Sequence, residues 1–141
     1  MKILVTGATG FLGKYVIDEL LAHDYSIVAF GRNEKIGKAL EGERVQFIKG
    51  DLSTIEELRQ AFQSVDAVVH AGALSTAWGP WKAFYQANVV GTKNVLDLCR
   101  EYAVKRLVYV SSPSIYAAGK DQLNIKESDA PKENHLNRSE E

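Results

Sequence analysis

The chain has 141 residues, enough for one domain around a single core, and its 45% hydrophobic and 25% charged residues are those of an ordinary soluble globular protein. A net charge of -1 excludes the electrostatic footprint of nucleic-acid binding or of adsorption to an anionic membrane, so neither partner is expected. One cysteine (Cys99), no apolar run near the ~20 residues of a membrane span and too short an N-terminal apolar run for a signal peptide together point to the cytoplasm.

Residues 2–6 form an apolar run of strand length that ends on a glycine-rich turn. Residues 11–22 follow with Phe11, Leu12, Tyr15, Val16, Leu20 and Leu21 at helical spacing. A second strand is expected over 26–30, closed by Gly31, then a short helix over 34–40 and a third strand over 45–48. Ser53 or Thr54 can cap a helix over 55–62, and Glu56 and Glu57 suit its positive end. Residues 67–70 read as a fourth strand and 81–102 as one long helix, apolar at Phe84, Val89, Val95, Leu96 and Leu98. A fifth strand over 106–110 leads into Ser111-Ser112-Pro113.

Strands this apolar, alternating with helices, need both faces covered. That predicts an α/β fold, a doubly wound parallel sheet of the Rossmann type with about five strands in the order 3-2-1-4-5. From Gly119 the chain turns polar, with Pro131 in the middle and no periodic apolar face. The expected division is a domain over 1–118 and a polar loop or tail over 119–141, the start of a further half that would cover the open edge of the sheet.

The strongest motif is Thr6-Gly7-Ala8-Thr9-Gly10-Phe11-Leu12-Gly13, placed between the first strand and the first helix. Gly7 allows the tight turn, Gly10 lets the backbone approach a pyrophosphate, and Gly13 permits close helix–strand packing. The free amides and dipole of the helix N-terminus favour phosphate there.

The spacing Gly-x-x-Gly-x-x-Gly, within Val5-Thr6-Gly7-Ala8-Thr9-Gly10-Phe11-Leu12-Gly13, resembles the cofactor loop of extended short-chain dehydrogenases. That family includes nucleotide-sugar epimerases and dehydratases, 3β-hydroxysteroid dehydrogenases and dihydroflavonol-type reductases. The resemblance implies a cofactor site made of Gly7, Thr9, Gly10, Phe11, Leu12 and Gly13, with further matches in chain order. Gly50-Asp51-Leu52 stands where the family sets an aspartate against the adenine amino group, and Val68-Val69-His70-Ala71-Gly72-Ala73 resembles its small-residue loop beside the adenosine ribose. His70 there reads as a strand-end residue. Asn88-Val89-Val90-Gly91-Thr92-Lys93-Asn94-Val95 resembles the long-helix motif, in which Asn88 would fix the active-site backbone; a solvent-facing asparagine is the alternative.

Cofactor choice is read at the end of the second strand, where NAD enzymes of this fold place an acid. Here the sequence is Ala29-Phe30-Gly31-Arg32-Asn33, and Arg32 can pair with a 2′-phosphate that a carboxylate would repel. NADP is therefore preferred over NAD, with Asn33 or Lys35 able to serve in place of Arg32.

Tyr109-Val110-Ser111-Ser112-Pro113-Ser114-Ile115-Tyr116 resembles the family's fifth-strand end, which puts Ser112 on the catalytic serine, with Ser111 or Ser114 as alternatives. Its hydroxyl would hydrogen-bond the substrate oxygen. The family's Tyr-x-x-x-Lys acid/base pair has one formal match, Tyr116-Ala117-Ala118-Gly119-Lys120, which comes too soon after Ser112 and in a segment without a helical face. The pair is read as lacking from this sequence. No metal ligand set is expected. The implied activity is NAD(P)-dependent hydride transfer between a nicotinamide and a secondary alcohol or ketone of a small-molecule substrate, with this chain alone expected to be inactive. A nucleotide-sugar epimerase or dehydratase with bound NAD, a non-catalytic dinucleotide-sensing protein and a fragment that binds nothing well are the rival readings. Relatives of this kind suggest a homodimer through the long fourth helix.

Overall fold

The computed structural model describes residues 1–76, 78–116 and 123–129. The apolar runs become the strands of one sheet: β1 (Lys2–Thr6), β2 (Ser26–Gly31), β3 (Val45–Lys49), β4 (Ala67–His70) and β5 (Arg106–Tyr109). All pair in parallel, in the order β3-β2-β1-β4-β5, so the expected doubly wound sheet is what forms. The register sets Thr6 beside Phe30 on one side and His70 on the other, with Tyr109 beyond His70. That row of four is the C-terminal edge of the sheet, where crevices open in this class of fold.

Alternation within β1 divides the core. Leu4 joins Val28, Phe30 and Val68 on the face covered by α3 (Ile55–Ala61) and α5 (Gly91–Glu101), where Leu58, Phe62, Val95 and Leu98 are buried. Ile3 and Val5 face the other way, toward α1 (Phe11–Ala22) and α2 (Glu34–Leu40), and pack with Ile17, Ile27 and Val45. Each large apolar side chain fully removed from water contributes about 1.5–3 kcal/mol, which is what holds both helical layers to the sheet, whose edge strand β5 stays largely exposed.

Two helices differ from the expectation. In α1 the buried stripe is Gly13 and Ile17, whereas Phe11 (86% exposed) and Tyr15 (60%) point outward and meet edge to face. A small residue at 13 lets the helix sit down on the strand, and that contact rotates the two aromatics away. The long helix over 81–102 is not uniform. It runs as α4 (Trp81–Phe84), a wider π turn (Tyr85–Val90) and α5, and Leu96 stays 36% exposed. At the join, Gly91 touches Leu52 so closely that a Cβ at 91 would lie 2.8 Å from the Leu52 Cβ. A π turn accommodates one residue more than an α turn at such a contact. At α3, Thr54 occupies the N-cap without a side-chain bond, and Ser53 is engaged with Asp51. No described helix is long and apolar enough to cross a membrane. The expected boundary at 118, Lys120 and the stretch from Asn134 to Glu141 lie outside the described residues.

Candidate functional site

β1 runs directly into the glycine turn. Gly7 has φ +69°, and a side chain there would also collide with the neighbouring loop, its Cβ falling 2.7 Å from the Gly72 Cα. The turn closes by Gly10 N–H donating to the Gly7 carbonyl at 2.9 Å, and Ala8 N–H donates to the Phe30 carbonyl at 3.1 Å. Gly10 then caps α1 with no side-chain acceptor, which leaves amides of the first helical turn for a ligand.

Two clefts meet over this turn. The first, about 300 Å³, is lined by Gly7, Thr9 and Gly10, by Arg32, Asp51 and Leu52, and by Ala71, Gly72 and Ala73. The second, about 550 Å³, shares Gly7, Gly10 and the Ala71–Gly72–Ala73 loop and adds Phe11, Leu12, Gly13, Asn88, Thr92, Tyr109 and Ser112. Ser112 and every residue that the resemblance placed at the cofactor line one cleft or the other, whereas Lys35, the alternative to Arg32, lines neither. Phe30, Gly50, Leu74, Thr92, Tyr109 and Val110 line them too and were missed. The spacing of Thr92 from Asn88, four residues along one helix, is the one signal that could have found it.

In the first cleft Asp51 stands at the end of β3. Its Oδ1 accepts from Ser53 N–H at 2.9 Å and from Ser53 Oγ at 2.6 Å, and its Oδ2 lies 3.8 Å from an Arg32 guanidinium nitrogen. Burial pushes the carboxyl up, but the two Ser53 bonds and the Arg32 charge outweigh it and hold it below the usual carboxylate range. The Arg32 side chain is 67% exposed, so this ion pair is worth at most about 1 kcal/mol and leaves the guanidinium able to turn toward a stronger anion. Asn33 is spent on structure: its Oδ1 accepts from Ile36 N–H at 3.1 Å as the cap of α2.

The wall of the second cleft is fixed by side chains. Asn88, on the π turn, donates from Nδ2 to the Leu74 carbonyl (3.1 Å) and accepts from Leu74 N–H at Oδ1 (2.8 Å), so it is a backbone clasp and not a solvent-facing residue. Six residues further on, Asn94 Nδ2 donates to the Leu52 carbonyl at 2.8 Å. Beneath both clefts lies His70, 1% exposed, with Nδ1 2.6 Å from Thr6 Oγ1, Nε2 3.0 Å from Thr92 Oγ1 and its ring stacked on Tyr109. Burial pushes its imidazole down to about 4, so it is neutral at physiological pH. Asn88→Ala is expected to lower the unfolding free energy by about 1–2 kcal/mol, because both Leu74 groups lose a partner. Urea denaturation measures this, with faster hydrogen exchange at the Leu74 amide as the local signature.

Bare backbone on two facing walls, an uncapped helix N-terminus and a cation at one end suit a flat dianionic dinucleotide. No group of three His, Cys, Asp or Glu side chains suited to a metal occurs among the described residues.

Comparison with known proteins agrees. The family described as NAD dependent epimerase/dehydratase matches residues 3–139. The 2-alkyl-3-oxoalkanoate reductase of Stenotrophomonas maltophilia is 43% identical over 115 residues, which is 82% of this chain and 34% of the reductase. The sterol-4-alpha-carboxylate 3-dehydrogenase, decarboxylating, of Bos taurus is 35% identical, over 87% of this chain and 33% of its own length. Among solved structures, the UDP-glucose 4-epimerase of Thermus thermophilus, in complex with NAD, superimposes with a TM-score of 0.80 at 26% identity, covering 94% of this chain and 44% of that one. The chain thus spans about a third of the length of the curated relatives it matches.

Proposed function

The chain belongs to the NAD dependent epimerase/dehydratase family, and from that premise we propose that it is the cofactor-binding part of a reductase or dehydrogenase acting on a secondary alcohol or ketone. The observation that carries the reading is the pair of clefts joined across Gly7, Gly10 and Ala71–Gly72–Ala73 at the point where strand order reverses. The glycine turn and the start of α1 would hold the pyrophosphate, Asp51 and Leu52 the adenine, and the small-residue loop the ribose. The bound nicotinamide supplies or accepts the hydride. Ser112, in the second cleft, would hydrogen-bond the substrate oxygen. Phe11, Tyr109 and Val110 line the same cleft and are 86%, 56% and 41% exposed, which supports a substrate with an apolar skeleton. Relatives named for alkyl-oxoalkanoates and sterols support the same substrate class. Exposed Trp81, Tyr85 and Leu96 on the long helix support a homodimer through that face.

NADP is the cofactor we propose, because Arg32 directly follows β2, at a place where an acid would repel a 2′-phosphate. A nucleotide-sugar epimerase using NAD is the second reading, favoured by the NAD-bound epimerase fold match. Calorimetric titration of the chain with NADPH and with NADH separates them. The expected result is tighter NADPH binding, with Arg32→Ala weakening NADPH about tenfold and leaving NADH unchanged, since a charge-assisted bond is worth about 1.5–3 kcal/mol. Equal or NADH-favoured binding supports the epimerase reading. Heat signals from neither cofactor would defeat both.

A further inference from the structure

The distances along the buried chain Gly72–Thr6–His70–Thr92 favour one direction of hydrogen bonding. Gly72 N–H donates to Thr6 Oγ1 at 3.3 Å, which leaves the Thr6 hydroxyl proton to be placed. The 2.6 Å between Thr6 Oγ1 and His70 Nδ1 is in the range of a hydroxyl donor and shorter than an imidazole N–H would ordinarily make. With Thr6 as donor, Nδ1 accepts and the ring proton sits on Nε2. From there it is given to Thr92 Oγ1 at 3.0 Å, an ordinary N–H···O length. A threonine hydroxyl that accepts still has its own proton to donate. Thr92 lines the second cleft beside Asn88, Tyr109 and Ser112, and its bond with His70 is the one hydrogen bond of that hydroxyl among the described residues.

We propose that Thr92 is a binding residue whose hydroxyl donates to an oxygen of the bound dinucleotide, and that His70 is the positioning residue that turns it there by holding it from behind as the Nε2–H tautomer. The inference rests on the dinucleotide-binding reading above. It gives the buried histidine a task that proton transfer does not: carrying hydrogen-bond polarity from the β4 loop, through Thr6, to a helix on the far side of the cleft. The stacked Tyr109 ring supports the imidazole plane, and neither threonine carries charge, so nothing in direct contact opposes the neutral ring.

The test combines imidazole ¹⁵N shifts of the full chain, with His70 assigned by its loss in His70→Gln, and calorimetry with NADPH and NADH on Thr92→Val and Thr92→Ser. The expected result is an Nε2-protonated His70 in the free protein. Thr92→Val lowers the melting temperature by a few degrees, because the buried His70 Nε2–H loses its acceptor, and weakens the preferred dinucleotide about fivefold, and Thr92→Ser restores both. A Nδ1-protonated ring overturns the relay, and unchanged affinity in Thr92→Val overturns the binding role while the parent still binds. If the parent binds neither dinucleotide, the cofactor reading itself fails and this inference falls with it. Should Thr92→Val not fold, a Thr92→Ser variant bound more weakly than fivefold below the parent counts against the proposal, and the tautomer decides the relay.

Discussion

Gly13→Ala is expected to abolish dinucleotide binding and to lower the thermal midpoint by about 10 °C. A Cβ at position 13 would stand 2.3 Å from the Gly7 carbonyl oxygen and 2.6 Å from the Ala8 Cα. Both obstacles are main chain, so no rotamer change relieves them. Either α1 lifts from β1, which uncovers the apolar surface under Ile17, or the glycine turn is pushed toward Gly72, against which Gly7 already has no clearance. Overpacking of this kind costs about 3 kcal/mol, and at this chain length each kcal/mol moves the midpoint by about 3–4 °C. The control is Gly42→Ala, where a Cβ meets nothing within 4 Å and the melt should shift little. Circular dichroism melts and a calorimetric titration decide the matter; a Gly13→Ala protein with the parental melt would show that the turn is not packed as described.

The second large effect concerns acid. His70 titrates at about 4 in the folded chain against an ordinary 6.5, because burial disfavours its charged form. A depressed imidazole is stabilising above its unfolded value, and that contribution is lost as pH falls from 6.5 through 4, the unfolded chain binding the extra proton. Between pH 7 and pH 4.5 the unfolding free energy should fall by about 2 kcal/mol from this one residue. The lowered carboxylates Asp51, Glu34 and Asp97 act in the same direction but below pH 4.5, so the window belongs to the imidazole. Urea midpoints measured across it should slope in the parent and run flat in His70→Gln, whatever the absolute stability of the variant. A parent without that slope would mean that the imidazole is wetter than its 1% exposure indicates.

Much of this was legible in the residues. Val5 to Gly13 encoded both a strand end and the turn that follows it, since only glycine satisfies the positive φ at 7 and the contact at 13. The parallel sheet covered on both sides followed from the uniformly apolar runs, and the strand order from right-handed crossovers. Local pattern could not show which apolar residues of α1 face inward, because Phe11 and Tyr15 share the helical spacing of core residues and are turned out only by the docking of Gly13. Nor could it show the π turn, which answers to the contact between Gly91 and Leu52 across 39 positions of sequence. His70 was read as a strand end, which it is; its partners Thr6 and Thr92 lie 64 and 22 positions away, and no spacing rule links them.

The position of β1 also sets an order of events. It is made before the other four strands of the sheet, yet its two neighbours are β2 and β4, and its turn is packed against Gly72. A chain growing from its N-terminus can pair Lys2–Thr6 with Ser26–Gly31 early, but the other edge of β1 stays open until Ala67–His70 has been synthesised. The glycine turn is thus made well before the loop at Gly72 against which it packs. For that interval, some seconds at ordinary elongation rates of about 5–20 residues per second, the nascent chain exposes an apolar strand edge of the kind that chaperones recognise.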